Sequence, residues 1–140
     1  MPHWTHGGIA HGPKPRDYSY HINKKARQLA IKSALSLKVL ESNFIVVDNI
    51  ALETYRTKSI ITMLKALGAE GKALIVTATS DKVIYKSASN IPGVATAIAT
   101  SLNTYDLLNY DKCIIAKDAV SIITDIYCQH SALPGQELEE

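Results

Sequence analysis

Four short apolar runs, each separated from the next by a helical pattern, constrain the fold of this chain more than any other feature. The runs are Asn43–Val47, Ala73–Thr77, Val94–Ala99 and Cys113–Ala116. Runs of this length and composition are typical of strands that are buried on both faces of a parallel sheet. With helices and short connections between them, they predict an α/β fold: a parallel four-stranded, doubly wound (Rossmann-like) sheet with helices on both faces.

Apolar residues at helical spacing predict five helices around this sheet. They run from Asn23 to Leu40, from Ser59 to Leu67, from about Asp81 to Ala88, from Asn103 or Thr104 to Leu108, and from Ala119 to Tyr127. The candidate N-caps are Asn23, Thr57, either Asn103 or Thr104, and Asp118, because a short polar side chain can accept a bond from a free helical N–H. Gly68 is the candidate stop of the second helix.

The first helix is predicted to have one packed face and one cationic face. The inward positions are Ala26, Leu29, Ala30, Ala34, Leu37 and Leu40, and the opposite arc carries Lys24, Lys25, Arg27, Gln28, Lys32 and Lys38. A solvated charged face is the plainer interpretation of such a pattern. The basic segment before the helix and the near absence of acidic partners favour binding instead.

Residues 1–21 are predicted to form an extended arm in front of the domain, which covers residues 22–130. Glycine and proline are dense here, and they exclude the interior of helices and sheets. Lys14 and Arg16 place cations on this arm, and Tyr18 and Tyr20 place flat rings just beyond them. Such a strip suits RNA, although the two tyrosines could equally pack against the domain.

Charge is segregated along the chain. The formal net charge is only +2, but the first forty residues hold seven basic side chains against Asp17 alone, which is a charge of +6. The remaining residues carry eight basic and twelve acidic side chains. A polyanionic partner is therefore expected at the amino-terminal end.

Several other classes of protein are disfavoured by the sequence. Cys113 and Cys128 lack ligand spacing and are expected to be reduced in an intracellular protein. No apolar run reaches the length of about 18 residues that a membrane span needs. The start of the chain does not resemble a leader peptide, so a cytoplasmic protein is expected. Ser131–Glu140 is predicted to be an acidic, disordered tail.

Motifs for catalysis or cofactor binding are weak. No dinucleotide fingerprint and no Walker loop follows a strand, and no cofactor is expected. His3 and His6 could in principle hold zinc, but without nearby cysteines no metal site is predicted. The alternative to RNA binding is a small doubly wound enzyme or ligand-binding domain. It would have a polar pocket at the strand carboxyl ends, near Asp48, Thr77 and Asn103.

The stretch from Gly7 to Tyr20, Gly-Gly-Ile-Ala-His-Gly-Pro-Lys-Pro-Arg-Asp-Tyr-Ser-Tyr, closely resembles the L4 family of bacterial large-subunit ribosomal proteins. Later segments agree in the same order: Lys24-Lys25, Leu29 to Ser36, Ala66-Leu67-Gly68, Lys72 to Thr77, Asn90 to Val94, Leu102 to Leu108 and Lys117 to Val120. The resemblance covers nearly the whole chain up to the tail.

This resemblance implies a non-enzymatic binder of large-subunit ribosomal RNA that supports subunit assembly beside neighbouring ribosomal proteins. It also implies an extended loop that reaches the wall of the peptide exit tunnel. Carried over by position, the residues assigned to RNA contact are Lys14, Arg16, Tyr18, Lys24, Lys25, Arg27 and Lys32. Tyr20 and His11 are added because a ring can stack on a base and an imidazole can hydrogen-bond a phosphate.

The chain also departs from the family pattern. The resemblance implies that the family's loop returns to the domain through a limb ending in the Gly-Gly and Gly-Pro-x-Pro-Arg stretch. This chain begins partway along that limb, so the usual amino-terminal segment is expected to be missing, either because the gene product is truncated or because Met1 is an internal position. A truncated product should leave part of the apolar surface uncovered and be poorly soluble in isolation. His11 stands where the family commonly has an aromatic residue. A regulator that binds messenger RNA through the same basic surface is a further alternative.

Overall fold

The structure is a computed structural model and describes residue 4 and residues 6–9, 11–52, 54–69 and 71–128. Its helices are α1 (Lys24–Leu40), α2 (Thr57–Ala66), α3 (Lys82–Ala88), α4 (Thr104–Asn109) and α5 (Lys117–Cys128). Its strands are β1 (Phe44–Val47), β2 (Ala73–Thr77), β3 (Val94–Ile98) and β4 (Lys112–Ala116), and a 3-10 turn covers Ala99–Ser101. The predicted tail, Ser131–Glu140, lies outside the described residues.

The four strands form one parallel sheet in the order β1-β4-β2-β3. Ile114 of β4 lies opposite Ile45 on one side and Ile75 on the other. The central strands β2 and β4 are the most buried, and β1 and β3 form the two edges. The predicted α/β fold with a parallel four-stranded sheet is confirmed.

Helices cover both faces of the sheet, because successive side chains of a strand point to opposite faces. On one face, Leu74, Val76 and Ile115 form a core with residues of α1, α4 and α5. On the other face, Ile75 and Ile114 form a core with residues of α2 and α3. This arrangement confirms the doubly wound architecture, and it separates α1 from α3 by the thickness of the sheet.

The ends of the helices match the predictions only in part. Asn103 caps α4, since its side chain accepts from the Asp106 N–H at 2.7 Å. Gly68 follows α2 with a φ of +62°, a conformation that glycine adopts without strain, so the predicted stop is confirmed. Asn23 occupies the N-cap position of α1, but its side chain makes no capping hydrogen bond. Two further predicted caps are wrong: α2 already includes Thr57 as its first residue, and Asp118 lies inside the first turn of α5.

The orientation of α1 also differs from the prediction. Leu29, Leu37 and Leu40, which were expected to face inward, are 65%, 42% and 83% exposed. The residues that face the core are Ile31, Ala34, Leu35 and Lys38. Leu29 is exposed because the first half of α1 has no buried residue, and Leu37 and Leu40 are exposed because the second half packs through Ala34 and Lys38 instead.

Lys38 was expected on the cationic arc of α1 and is instead 5% exposed. Its Nζ atom donates to the backbone oxygen of Asp111 at 3.3 Å. A lysine can bury its aliphatic stem while its ammonium group reaches a carbonyl, so the side chain contributes packing rather than surface charge.

Candidate nucleic-acid interface

Residues 11–23 contain no helix or strand, and all of their side chains are exposed. Tyr18 and Tyr20 are 74% and 84% exposed, so neither ring packs against the domain. Exposed aromatic rings next to cations can stack on unpaired bases. The stretch from His11 to Lys32, which contains all nine predicted contact residues, is called the basic segment below.

Within the basic segment, Arg16 contacts Tyr18, and Asp17 is hydrogen-bonded to Ser19. The guanidinium carbon of Arg16 lies over the Tyr18 ring, 4.2 Å from its centroid. Asp17, between them, accepts from both the backbone N–H and the hydroxyl of Ser19, each at 2.8 Å. In an extended chain residues two positions apart point to the same side. The cation and the ring therefore share one side, and the carboxylate is bonded to Ser19.

The pKa of Asp17 is lowered, first by the backbone N–H of Ser19 and then by its hydroxyl, which both stabilise the carboxylate. The two bonds from Ser19 therefore favour the charged form of this carboxyl. The local bonds explain how one acidic residue is accommodated in the middle of a basic segment without pairing with Arg16.

The first half of α1 continues this cationic surface. Lys24, Lys25 and Arg27 are exposed, whereas Lys32 is half-buried. Lys25, Gln28, Leu29 and Lys32 line a groove of about 290 Å³. Their spacing of three and four residues places them on one side of the helix. The structure thus brings Lys25 and Lys32 together at this groove.

A second cluster of exposed cations and rings, on α3 and in the loop before α2, was missed by the sequence reasoning. It consists of Tyr55, Arg56, Lys82, Tyr85 and Lys86, which are all exposed. The Lys86 Nζ atom lies 5.6 Å from the centroid of the Tyr55 ring. The only sequence signal was the spacing of Lys82, Tyr85 and Lys86, hidden within a part of the chain that is acidic overall.

The carboxyl ends of β2 and β3 border a groove of about 350 Å³. Thr77 lines it as predicted, but Asp48 and Asn103 do not: Asp48 is exposed elsewhere, and Asn103 caps α4. This groove therefore does not join the three residues that the alternative function would bring together. Within the described ranges, no group of three histidine, cysteine or acidic residues could hold a metal ion. His3 lies outside those ranges.

Apolar side chains line a further groove, of about 460 Å³, between α1 and α5 beside the edge strand β1. They include Leu35, Val39, Phe44, Val120 and Ile123.

Among the residues that the structure describes, no helix combines the length and the apolar character needed to cross a membrane.

The sequence profile of the Ribosomal protein L4/L1 family matches residues 1–126 of this chain. The chain belongs to this family. The predicted resemblance is therefore confirmed over nearly the whole sequence.

Curated relatives place the chain among large-subunit L4/L1 proteins. The large ribosomal subunit protein uL4 of Natranaerobius thermophilus is 48% identical over 127 residues, which are 91% of this chain and 61% of the relative. The protein of the same name from Clostridium beijerinckii is 52% identical over 126 residues, again 61% of its length. The chain thus spans about three fifths of the length of these relatives.

Members of the L4/L1 family are structural ribosomal proteins, and the prediction that the chain is not an enzyme agrees with this. No catalytic reaction is therefore assigned to the groove at the strand ends. The nine residues of the basic segment that were predicted to contact RNA remain predictions, and they are developed below.

Proposed function

We propose that this chain is a structural component of the large ribosomal subunit in the cytoplasm and binds large-subunit ribosomal RNA through its basic segment. The observation that carries the proposal is the exposure of that segment in a member of the L4/L1 family. Residues 1–21 would act as an RNA-contacting arm, and residues 22–130 as the domain that anchors it. Neighbouring large-subunit proteins are the other proposed partners.

The chemistry of the basic segment suits both parts of an RNA strand. Lys14, Lys24, Lys25 and Arg27 can neutralise phosphates, which gives affinity with little sequence preference. Tyr18 and Tyr20 can stack on unpaired bases, and Arg16 is already held against the Tyr18 ring at 4.2 Å. This contact favours one arrangement of both groups before RNA arrives, so somewhat less conformational freedom is lost on binding.

Salt dependence of binding provides the test, because each neutralised phosphate releases counterions. We expect the variant Lys24→Ala, Lys25→Ala, Lys32→Ala to reduce the log-log slope of affinity against salt by roughly 2 to 3. Affinity should be measured for the full chain and Clostridium beijerinckii large-subunit RNA at several salt concentrations.

The matched control removes three exposed lysines elsewhere: Lys65→Ala, Lys72→Ala, Lys117→Ala. It loses the same formal charge but should leave the slope unchanged, and both variants should unfold within about 0.5 kcal/mol of the parent chain. If the two variants have equal slopes of log affinity against log salt, the lysines of α1 do not contact RNA and this part of the proposal is wrong. Equal competition by an unrelated RNA would contradict specificity for ribosomal RNA.

Support of subunit assembly follows from the same proposal, since a protein that binds RNA through an extended segment can hold distant RNA segments together. A reconstitution of large subunits with and without the triple lysine variant tests this role. The proposed contact with the tunnel wall rests on the resemblance alone. By that resemblance the contact would be made by Pro2 to Gly8, of which Pro2, His3 and Thr5 lie outside the described residues.

A further inference from the structure

The exposed side of α3 has the composition of an RNA-contacting surface. Lys82, Tyr85 and Lys86 are three and four residues apart, so they lie on one side of the helix. All three are exposed, and Tyr85 retains 62% of its accessible surface. The opposite side of the helix is buried through Ile84 and Ala88, which fixes the direction in which the exposed residues point.

The loop before α2 is held against this helix. The backbone N–H of Arg56 donates to the Ser87 hydroxyl at 3.2 Å, and Ser87 is 2% exposed. The Lys86 ammonium lies 5.6 Å from the centroid of the Tyr55 ring, within the range of a cation–π contact. Tyr55 and Arg56 of this loop and Lys82, Tyr85 and Lys86 of α3 therefore form one surface, called the α3 surface below.

A groove of about 350 Å³ opens beside Tyr85. Its apolar lining comes from Ile84 and Ile98, and hydroxyl groups are supplied by Thr77, Ser80, Thr96 and Ser101. Asp81 also lines it and accepts from the Val83 N–H at 2.7 Å. An apolar surface bordered by hydroxyls and a carboxylate suits an unpaired nucleobase, which is flat and carries both donors and acceptors at its edge.

The α3 surface and the α1 part of the basic segment belong to elements that pack on opposite faces of the sheet. The packed half of α1 lies on the sheet face that carries Leu74 and Val76, and α3 lies on the face that carries Ile75. We infer that the α3 surface binds a second, single-stranded segment of large-subunit RNA, with one unpaired base in the groove beside Tyr85. This inference rests on the function proposed above and extends it to the opposite face of the sheet.

RNA is favoured over an acidic protein segment because of the two exposed rings and the groove. Cations alone would suit either partner, but a base-sized groove next to an exposed tyrosine suits nucleic acid. The two partners differ in one respect: RNA binding should depend on Tyr85, whereas binding of an acidic peptide should depend only on the lysines.

Ultraviolet cross-linking of the full chain to Clostridium beijerinckii large-subunit RNA tests the inference directly. After nuclease and protease digestion, mass spectrometry should find a nucleotide adduct on the peptide that contains Tyr85. The control is Tyr105 of α4, which is 73% exposed but lies outside the α3 surface and should carry no adduct. An adduct at Tyr105 and none at Tyr85 would overturn the inference.

Affinity measurements provide the second test. The variant Tyr85→Ala, Lys86→Ala should bind the RNA about 5-fold to 150-fold more weakly, which is the range for loss of one stacked base. Tyr85→Phe should retain most of the affinity, because the ring is kept. The matched control, Tyr105→Ala, Lys117→Ala, should bind like the parent chain. Thermal unfolding of all variants shows whether each is folded.

The outcomes separate this inference from the proposed function. If the triple lysine variant of α1 flattens the salt slope while the Tyr85 variant binds normally, the α3 surface is excluded and the proposed function stands. If neither variant changes RNA binding, the proposed function fails as well. If poly-L-glutamate binds as tightly as RNA and Tyr85→Ala has no effect, the surface recognises acidic protein and the inference is wrong.

Discussion

The basic segment and the central strands differ in what holds their residues in place. Ile75, Val76 and Ile114 have no accessible surface, so their positions are determined by neighbours within the chain. In the basic segment, the predicted contact residues are exposed except for Lys32, which is half-buried. Substitutions in the strands should therefore change the free energy of unfolding, whereas those in the basic segment should change binding.

The largest expected effect is on the core. Ile75→Ala should lower the free energy of unfolding by about 2 to 5 kcal/mol, because it removes buried methyl groups and leaves a cavity. Ile61→Ala, at a position that is 39% exposed, should lower it far less. Urea unfolding followed by circular dichroism measures both. A loss of similar size for Lys25→Ala would contradict the division between the two regions.

A pH-dependent effect of intermediate size is expected at Cys113, which is 1% exposed. Burial raises the pKa of its thiol from about 9 to about 11, and the charge of Lys38 opposes this only in part. The folded protein therefore holds this proton more tightly than the unfolded chain does. The stabilisation that the protonated Cys113 thiol gives the folded protein is complete below pH 9 and is lost as the pH rises towards 11.

The loss should be on the order of 2 to 3 kcal/mol over this interval, at about 1.4 kcal/mol for each pH unit. Unfolding by urea with a reductant present, at pH 8 and at pH 11, measures it. Other groups titrate in the same interval, including Tyr127, whose pKa is also raised by burial. The variant Cys113→Ala isolates the thiol, because its unfolding free energy should change less between the two pH values.

The smallest predicted effect compares two asparagines at helix starts. Asn103 accepts from the Asp106 N–H at 2.7 Å, so Asn103→Ala should destabilise the protein by about 1 kcal/mol. Asn23 occupies the N-cap position of α1 but makes no capping hydrogen bond, so Asn23→Ala should change stability much less. Thermal unfolding of both variants tests this, and equal losses would show that the side chain of Asn23 also acts as a cap.

Local sequence patterns predicted most of the helices and strands, but they did not predict which side of α1 packs against the domain. The central strands β2 and β4 are buried apolar runs, whereas the edge strands β1 and β3 are mostly half-buried. Gly68 follows α2 with a φ of +62°, a conformation that glycine adopts more readily than other residues. The inward face of α1 was predicted wrongly, because helical periodicity gives the spacing of a face but not which residues meet a neighbour. Thr57 and Asp118 are residue types that often cap helices, but α2 begins at Thr57 itself and α5 begins at Lys117.

The candidate sites show the same division. The basic segment is continuous along the chain, so its cations and rings could be recognised without coordinates. The α3 surface combines Tyr55 with Lys86, which are far apart in sequence and meet only because α2 and α3 pack on the same face. The groove at the ends of β2 and β3 contains Thr77 but neither Asp48 nor Asn103, because which strand ends share a groove depends on the strand order.

The amino-acid sequence thus determined the strand and helix pattern, the segregation of charge and the membership of the L4/L1 family, because each depends on residue type and order. Packing determined the strand order β1-β4-β2-β3, the burial of Lys38 and the position of α3 opposite α1. These features depend on contacts between residues distant in the chain, and the free energy of such contacts is set by the surfaces that meet.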